Sequence, residues 1–469
     1  MAEHLNDDAG LLHIHQLKSG LVQLTDSTNA MRLLKEHGRD IRYVAAWKKW
    51  VVWNGRQWEL DEGGALVHEK GLEMVRNIYG ELARNADYRM KLDIQKHAVL
   101  SESVRRREAF VKAAQWIKGL NIKCDDLDSN PWLLNVRNGT IDVLTGGFTE
   151  HCQSDMISKI ANVEYDPEAD CPLWKRFIRE IMDYKTDLIA FLQRAAGWGI
   201  TGDNSGQTMF IFYGSGANGK STFLNAVMHL LGDYATSAMT ETFMKQSGDR
   251  ITNDIARLRG TRFVTAAEAE EGRRLSEPLI KQITGNDRMT ARFLYSEFFT
   301  FQPTFKIYLA TNHKPLIKGS DYGIWRRIKL IPFTTRIPED RQDRQLEEKL
   351  RREASGILNW LLEGARSWRV QGLNAPVEIL NATDEYRAEM DVIGNFIKEC
   401  CVEREGLSIR VRELFKCYQD WCIERSEHGC SERFFTLRLK DMGYAQGRNS
   451  DSRFWNKLGL REGREYGKI

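Results

Sequence analysis

Apolar and polar positions change rhythm along the chain, and each change predicts a different kind of element. Residues 1–75 carry short apolar-aromatic runs, Tyr43-Val44-Ala45-Ala46-Trp47 and Trp50-Val51-Val52-Trp53, then the turn pair Asn54-Gly55 and Trp58. That reads as a small β-hairpin unit. Helix formers with apolar residues at helical spacing fill 66–120, so helices are expected there. Asn130-Pro131 and Asn138-Gly139 punctuate the next stretch, where Leu133–Val136 and Thr140–Val143 read as short strands about a turn. Residues 173–200 return to helical spacing. From 205 to 335 short apolar strands alternate with helices, which predicts an α/β domain with a mainly parallel sheet. A charged helical segment follows at 340–370, with Leu346, Leu350, Ile357, Leu358, Leu361 and Leu362 on one side. Pro376 begins a linker-like stretch that leads into a final helical domain. The expected architecture is multidomain, mainly α and α/β. A small β-containing unit occupies 1–75, a helical accessory domain 76–204, the α/β core 205–375 and a C-terminal domain 376–469.

Composition narrows the class. The 469 residues are 42% hydrophobic and 28% charged, ordinary for a globular protein and too rich in aromatics for disorder. No apolar run reaches the length of about 18 residues that a membrane span needs. The start, MAEHLNDDAG, lacks the basic-then-apolar order of a secretory signal. A cytoplasmic protein is expected. Eight cysteines in so long a chain do not suggest a disulfide framework. Cys417, Cys422, Cys430 and His428 lie close together, but no C-x-x-C pair frames them, and they read as buried thiols. Net charge is only +3, yet from Arg433 onward nine Lys/Arg face four Asp/Glu, an excess of five. Such a local basic surface suits nucleic acid.

The strongest chemical signal is Phe210-Ile211-Phe212-Tyr213-Gly214-Ser215-Gly216-Ala217-Asn218-Gly219-Lys220-Ser221-Thr222. It matches the phosphate-loop pattern G-x-x-x-x-G-K-[ST] in the right context, a β-rich run before it and an amphipathic helix after. Glycines let the backbone wrap a phosphate, and the helix N-terminus offers free N–H groups. In this reading 214–222 bind ATP, Lys220 contacts the β- and γ-phosphates, and the Ser221 hydroxyl holds Mg²⁺. Such a site needs an acid at the end of a second buried strand. Phe263–Ala267 followed by Glu268 supplies one, a metal-holding and water-polarising carboxylate, with Glu270 and Glu271 as alternatives. A third strand, Lys306–Thr311, ends at Asn312, whose amide can reach a γ-phosphate or the attacking water. Arg326 and Arg327 open a fourth apolar strand that runs to Phe333 and offer guanidinium charge to a transferred phosphate.

This order of motifs resembles the superfamily 3 helicases, an AAA+-like P-loop ATPase class. More narrowly it resembles the phage and plasmid primase-helicases related to the poxvirus primase-helicase. The segments Leu275–Asp287, Thr290–Tyr295 and Ala310–Pro315 carry the closer likeness, and 130–142 resembles the helical domain that precedes the motor in that family. The similarity is densest over 205–370. It implies a ring hexamer with ATP sites between subunits, translocation on single-stranded DNA, and a role in replication of a phage or plasmid-like element in the bacterial cytoplasm. It assigns Lys220 and Ser221 to the phosphate loop, Glu268 to the acidic strand and Asn312 to the γ-phosphate sensor. A trans-acting arginine is implied, with Arg327 preferred on its spacing to Phe333 and Arg326 as the alternative. Arg292–Phe301 would be a hairpin entering the central channel, gripping DNA through Arg292, Tyr295 and Phe298. Its tip departs from the family in having no Lys or His, and Tyr295 and Phe298 have core packing as the competing role. No primase motif is evident before the motor, so a separate primase is an expected partner. The tail resembles a winged helix, with 407–418 as first helix, 431–442 as recognition helix and 444–455 as wing. There Arg433, Arg438 and Lys440 would touch duplex origin DNA. The rival reading is an origin-binding initiator that uses ATP as an assembly switch and unwinds weakly.

Overall fold

The computed structural model describes residues 24–84, 87–246, 253–267, 271–293, 298–318, 322–425, 427–448 and 452–461. Two compact units divide the chain, the first ending at Glu164 and the second running from Tyr165 onward, with Val143–Thr145 counted in the second.

In the first unit β1 (Ile41–Val44), β2 (Lys49–Trp53) and β3 (Trp58–Asp61) form an antiparallel meander. Its turn is the expected one, since Asn54 Oδ1 accepts from the backbone N–H of Arg56 and Gln57. The meander is not a unit by itself. β4 (Asn121–Ile122) joins β1 in parallel, after helices Ala65–Arg84, Tyr88–Ser101 and Val104–Ala114. Ile41, Trp50 and Val52 share one core with Met74, Ile78 and Phe110 from those helices. The boundary expected at residue 75 therefore falls inside a helix. β5 (Leu133–Val136), β6 (Gly139–Asp142) and β7 (Phe148–Thr149) make a separate antiparallel sheet about the turn at Arg137-Asn138.

The second unit is built on β8 (Met209–Tyr213), β9 (Ala235–Ser237), β10 (Phe263–Ala267), β13 (Lys306–Thr311) and β14 (Ile328–Pro332). All are parallel, in the order β14-β8-β13-β10-β9. β13 is buried at every position, which explains the apolar run Ile307–Ala310 in its interior. Helices Thr186–Gly199 and Ala354–Gln371 cross with glycine against glycine. A Cβ on Gly197 would sit 2.3 Å from the Gly364 carbonyl carbon, and Tyr308 donates to Ala195 O at 2.7 Å. Residues 165–204 thus pack with the sheet rather than with the accessory domain, so the boundary expected at 204 moves back. Similarly, Pro376 opens no linker. It precedes helix Val377–Met390, whose Tyr386 is buried in the sheet's core and whose Thr383 hydroxyl accepts from Leu330 N.

A small hairpin, β11 (Met289–Ala291) with β12 (Phe299–Phe301), projects between β10 and β13 in sequence. The last segment is α+β. Helix Val392–Cys400, β15 (Cys401–Arg410), helices Val411–Glu424 and Glu432–Asp441, then β16 (Gln446–Arg448) and β17 (Arg453–Leu460) form it, with sheet order β15-β17-β16. Residues 401–410 are a strand where a helix from 407 is expected; the helix starts at Val411. Among the described residues no helix is long and apolar enough to cross a membrane.

Candidate functional site

β8 delivers its chain end to a loop, 214–219, and helix Lys220–Leu231 leaves it. Lys220 is 6% exposed, and its ammonium donates to Gly214 O at 2.6 Å, Asn218 Oδ1 at 3.2 Å and Asn312 Oδ1 at 3.2 Å. All three acceptors are neutral. Burial pushes the Lys220 ammonium below its ordinary value. A buried cation held only by carbonyl and amide oxygens fits an anionic ligand such as phosphate.

Register explains how Asn312 arrives. Thr311 pairs with Tyr213, so the residue after each strand faces the other's loop. From the second side, β14 pairs Pro332 with Tyr213, and the chain beyond braces the loop. Asn218 Nδ2 donates to Phe333 O at 3.2 Å and Ile337 N to Ala217 O at 2.8 Å. This brace was not read from the sequence; the pairing of β14 with β8 is what reveals it. Ser215 and Ser221 are exposed and Thr222 half-buried at the mouth of the loop.

Two glycines carry the loop's shape for different reasons. Gly216 (φ 97°) has open space around a built Cβ, whereas Gly219 (φ 81°) has Ile181 Cγ2 at 2.5 Å and Phe177 Cε2 at 3.1 Å. Gly219→Ala therefore adds overlap to left-handed strain, while Gly216→Ala adds only the strain, about 1–2 kcal/mol. Thermal unfolding of both variants checks this, and Gly219→Ala should lose more. Equal losses would mean that Ile181 and Phe177 do not confine the loop.

β10 ends with Ala267 beside Ala310. Glu268 and Glu270 lie outside the described residues, as does Tyr295; Glu271 is described and exposed. Arg326 and Arg327 precede β14 at the edge of the sheet opposite the loop. Five strand residues at about 3.3 Å each, roughly 17 Å, separate them from it. Arg327 is half-buried and donates to Thr284 Oγ1 at 3.1 Å and Gly323 O at 2.6 Å. Arg326 is exposed and donates to Gln207 Oε1 at 2.7 Å. Arg326 is thus the more exposed of the two guanidinium groups.

The hairpin puts the Arg292 guanidinium 4.7 Å from the Phe298 ring centre, and Phe298 is 60% exposed. Core packing is thereby excluded for Phe298. In the last segment Arg433 and Lys440 are exposed, but Arg438 is not a free contact. It pairs with Asp391 at 2.9 Å, with side-chain exposure of 17%. Asp391 also caps helix Val392–Cys400, so Arg438 ties two elements together. Cys417 and Cys422 are buried, Tyr418 hydrogen-bonds Cys422 and Cys430, and no group of three potential metal ligands occurs among the described residues.

Three family descriptions match successive parts of the chain: "D5 N terminal like" at 30–183, a family of unknown function at 212–327, and "Poxvirus D5 protein-like" at 388–457. Similar proteins include "Putative helicase L207/L206" of Acanthamoeba polyphaga mimivirus, 30% identical over 63% of this chain and 33% of that one. "Putative helicase 022R" of Frog virus 3 is 27% identical over 52% of this chain and 27% of its own length. "Putative primase C962R" of African swine fever virus (isolate Tick/Malawi/Lil 20-1/1983) is 22% identical over 74% and 38%. The chain thus spans about a third of these relatives. They belong to large DNA viruses of eukaryotes, where phages and plasmids were expected. Among solved structures, the apo C-terminal region of NrS-1 aligns with a TM-score of 0.47 and 9% identity, covering 89% of this chain and 96% of that one.

Proposed function

We propose that this chain, a member of the D5-like primase-helicase family, is the ATP-hydrolysing motor of a replicative DNA helicase that works as a ring of six copies on single-stranded DNA. The observation that carries the reading is the Lys220 ammonium, buried between the ends of two parallel strands with only neutral partners. The β- and γ-phosphates of ATP complete that set. Asn312 then stands on the γ-phosphate side, where it can orient the attacking water. Mg²⁺ would be held by the Ser221 hydroxyl and, through water, by Glu268, and would neutralise charge on the phosphates. ATPase activity measured with and without single-stranded DNA, with particle mass recorded in the same sample, tests the whole reading. A monomer with DNA-indifferent turnover would sink it.

The acid has its own test. Glu268→Gln should retain nucleotide binding and lose hydrolysis by about 10²-fold or more, because an amide is neither a base nor an anion. A larger loss from Glu270→Gln or Glu271→Gln would transfer the role to that residue.

In a ring, arginines at the edge opposite the phosphate loop serve the neighbour's site, since their own is out of reach. The hairpin's Arg292 and Phe298, with Tyr295, grip a strand by stacking and charge. The last segment acts as a winged helix, with exposed Arg433 and Lys440 on duplex DNA.

A further inference from the structure

Helix Tyr322–Trp325, helix Val377–Met390 and the last segment meet around a recess. Its base is apolar and aromatic, with buried Trp325 and Tyr418, and its mouth carries Lys318, Arg387, His428 and Phe434. The acid that lines it, Asp391, is already neutralised by Arg438 at 2.9 Å. The side chains of Lys318, Arg387 and His428 make no ion pair or hydrogen bond with other described residues, and all three are exposed. Phe434 is 47% exposed, although it sits on a helix whose core is supplied by Phe435 and Leu439. Two unpaired cations on separate segments, Lys318 and Arg387, beside one half-bare aromatic ring make a locally positive, partly apolar surface that suits an anionic ligand with a planar group.

We propose that this recess is a second single-stranded DNA site, in which Lys318 and Arg387 hold backbone phosphates and Phe434 stacks on a base. The proposal rests on the reading of the chain as a DNA motor, and it concerns residues apart from the hairpin and the phosphate loop. A polynucleotide is favoured over an acidic protein segment for two reasons. The cations are spread over separate elements, as an extended backbone requires, rather than gathered on one. The planar ring at the mouth matches a base, because stacking accepts any sequence.

The test uses the full chain and a fluorescein-labelled oligothymidylate, with affinity measured across salt concentrations. Lys318→Gln with Arg387→Gln should weaken binding at least about tenfold and flatten the log–log salt slope by about 1.4, two phosphate contacts on a single strand. Phe434→Ala should weaken binding about tenfold with the slope unchanged. DNA-free ATPase should stay at the wild-type rate in every variant, which also shows that they fold. Wild-type binding untouched by these substitutions would overturn the recess and leave the motor standing. A wild-type chain that binds no oligonucleotide would overturn both. Binding of polyglutamate, lost in the variants while oligothymidylate binding is kept, would hand the surface to an acidic protein.

Discussion

Lys220→Ala should abolish ATP turnover, a loss of more than about 10²-fold, while leaving the chain folded. The reason lies in what the ammonium does in the ligand-free protein. It is buried, its partners Gly214 O, Asn218 Oδ1 and Asn312 Oδ1 are neutral, and burial lowers its pKa. A lysine whose folded-state pKa lies below its unfolded value penalises the charged folded form. That penalty is fully present below the folded pKa and disappears as pH rises through the usual lysine value of about 10.4. At neutral pH the side chain therefore costs stability until an anion arrives. Removing it should leave the ligand-free melting temperature unchanged or higher. It should also erase the stabilisation that an ATP analogue gives the wild type. Near-normal turnover in the purified variant, or an analogue-induced shift equal to the wild type's, would refute the assignment of Lys220 to the phosphates.

Much of this site was legible because it is written locally. A strand, a glycine loop and a helix follow one another in 209–231, and the loop's chemistry needs no distant partner to be read. Asn312 was legible for a related reason, since a buried parallel strand reads as an apolar run and its end is where the chain turns polar. The misreadings have long-range causes. Residues 401–410 look indifferent until β17 is placed beside them, with Cys401 opposite Leu460 and Arg410 opposite Phe454. Helix Val377–Met390 passed for a linker because Pro376 is a break in any local reading. The structure shows Tyr386 inserted under the sheet, hydrogen-bonded to Pro315 O. Arg438 looked like a DNA contact because it lies in a basic tail. Its carboxylate partner is 47 residues away in sequence, and no periodicity announces that pairing. The two arginines before β14 are the subtlest case. Spacing favoured Arg327, but Thr284 and Gly323 engage Arg327 and leave Arg326 the more exposed.

That exposure gives the second large expected effect. Arg326→Ala should leave ATP binding nearly intact and lower turnover by about 10³-fold, the lower end of what a trans-acting arginine contributes. The same change at Arg327 should lower the melting temperature, because it removes hydrogen bonds to Thr284 and Gly323. On the proposed reading the role is intermolecular. The strand β14 separates both arginines from their own phosphate loop, so only a neighbour's γ-phosphate is within reach. A head-to-tail contact repeated by rotation supplies that neighbour at every interface of a closed ring. Mixing exposes the arrangement. Subunits with Arg326→Ala keep a working Lys220 but offer no guanidinium, and subunits with Lys220→Ala do the reverse. Each preparation alone is inactive. In mixed rings some interfaces pair an intact phosphate loop with an intact arginine, and partial ATPase returns. Mixed rings that form, as shown by mass, yet recover nothing in any proportion would remove Arg326 from the neighbour's site. Recovery with Arg327→Ala in place of Arg326→Ala, at equal stability, would show that the half-buried member of the pair turns outward when the ring closes.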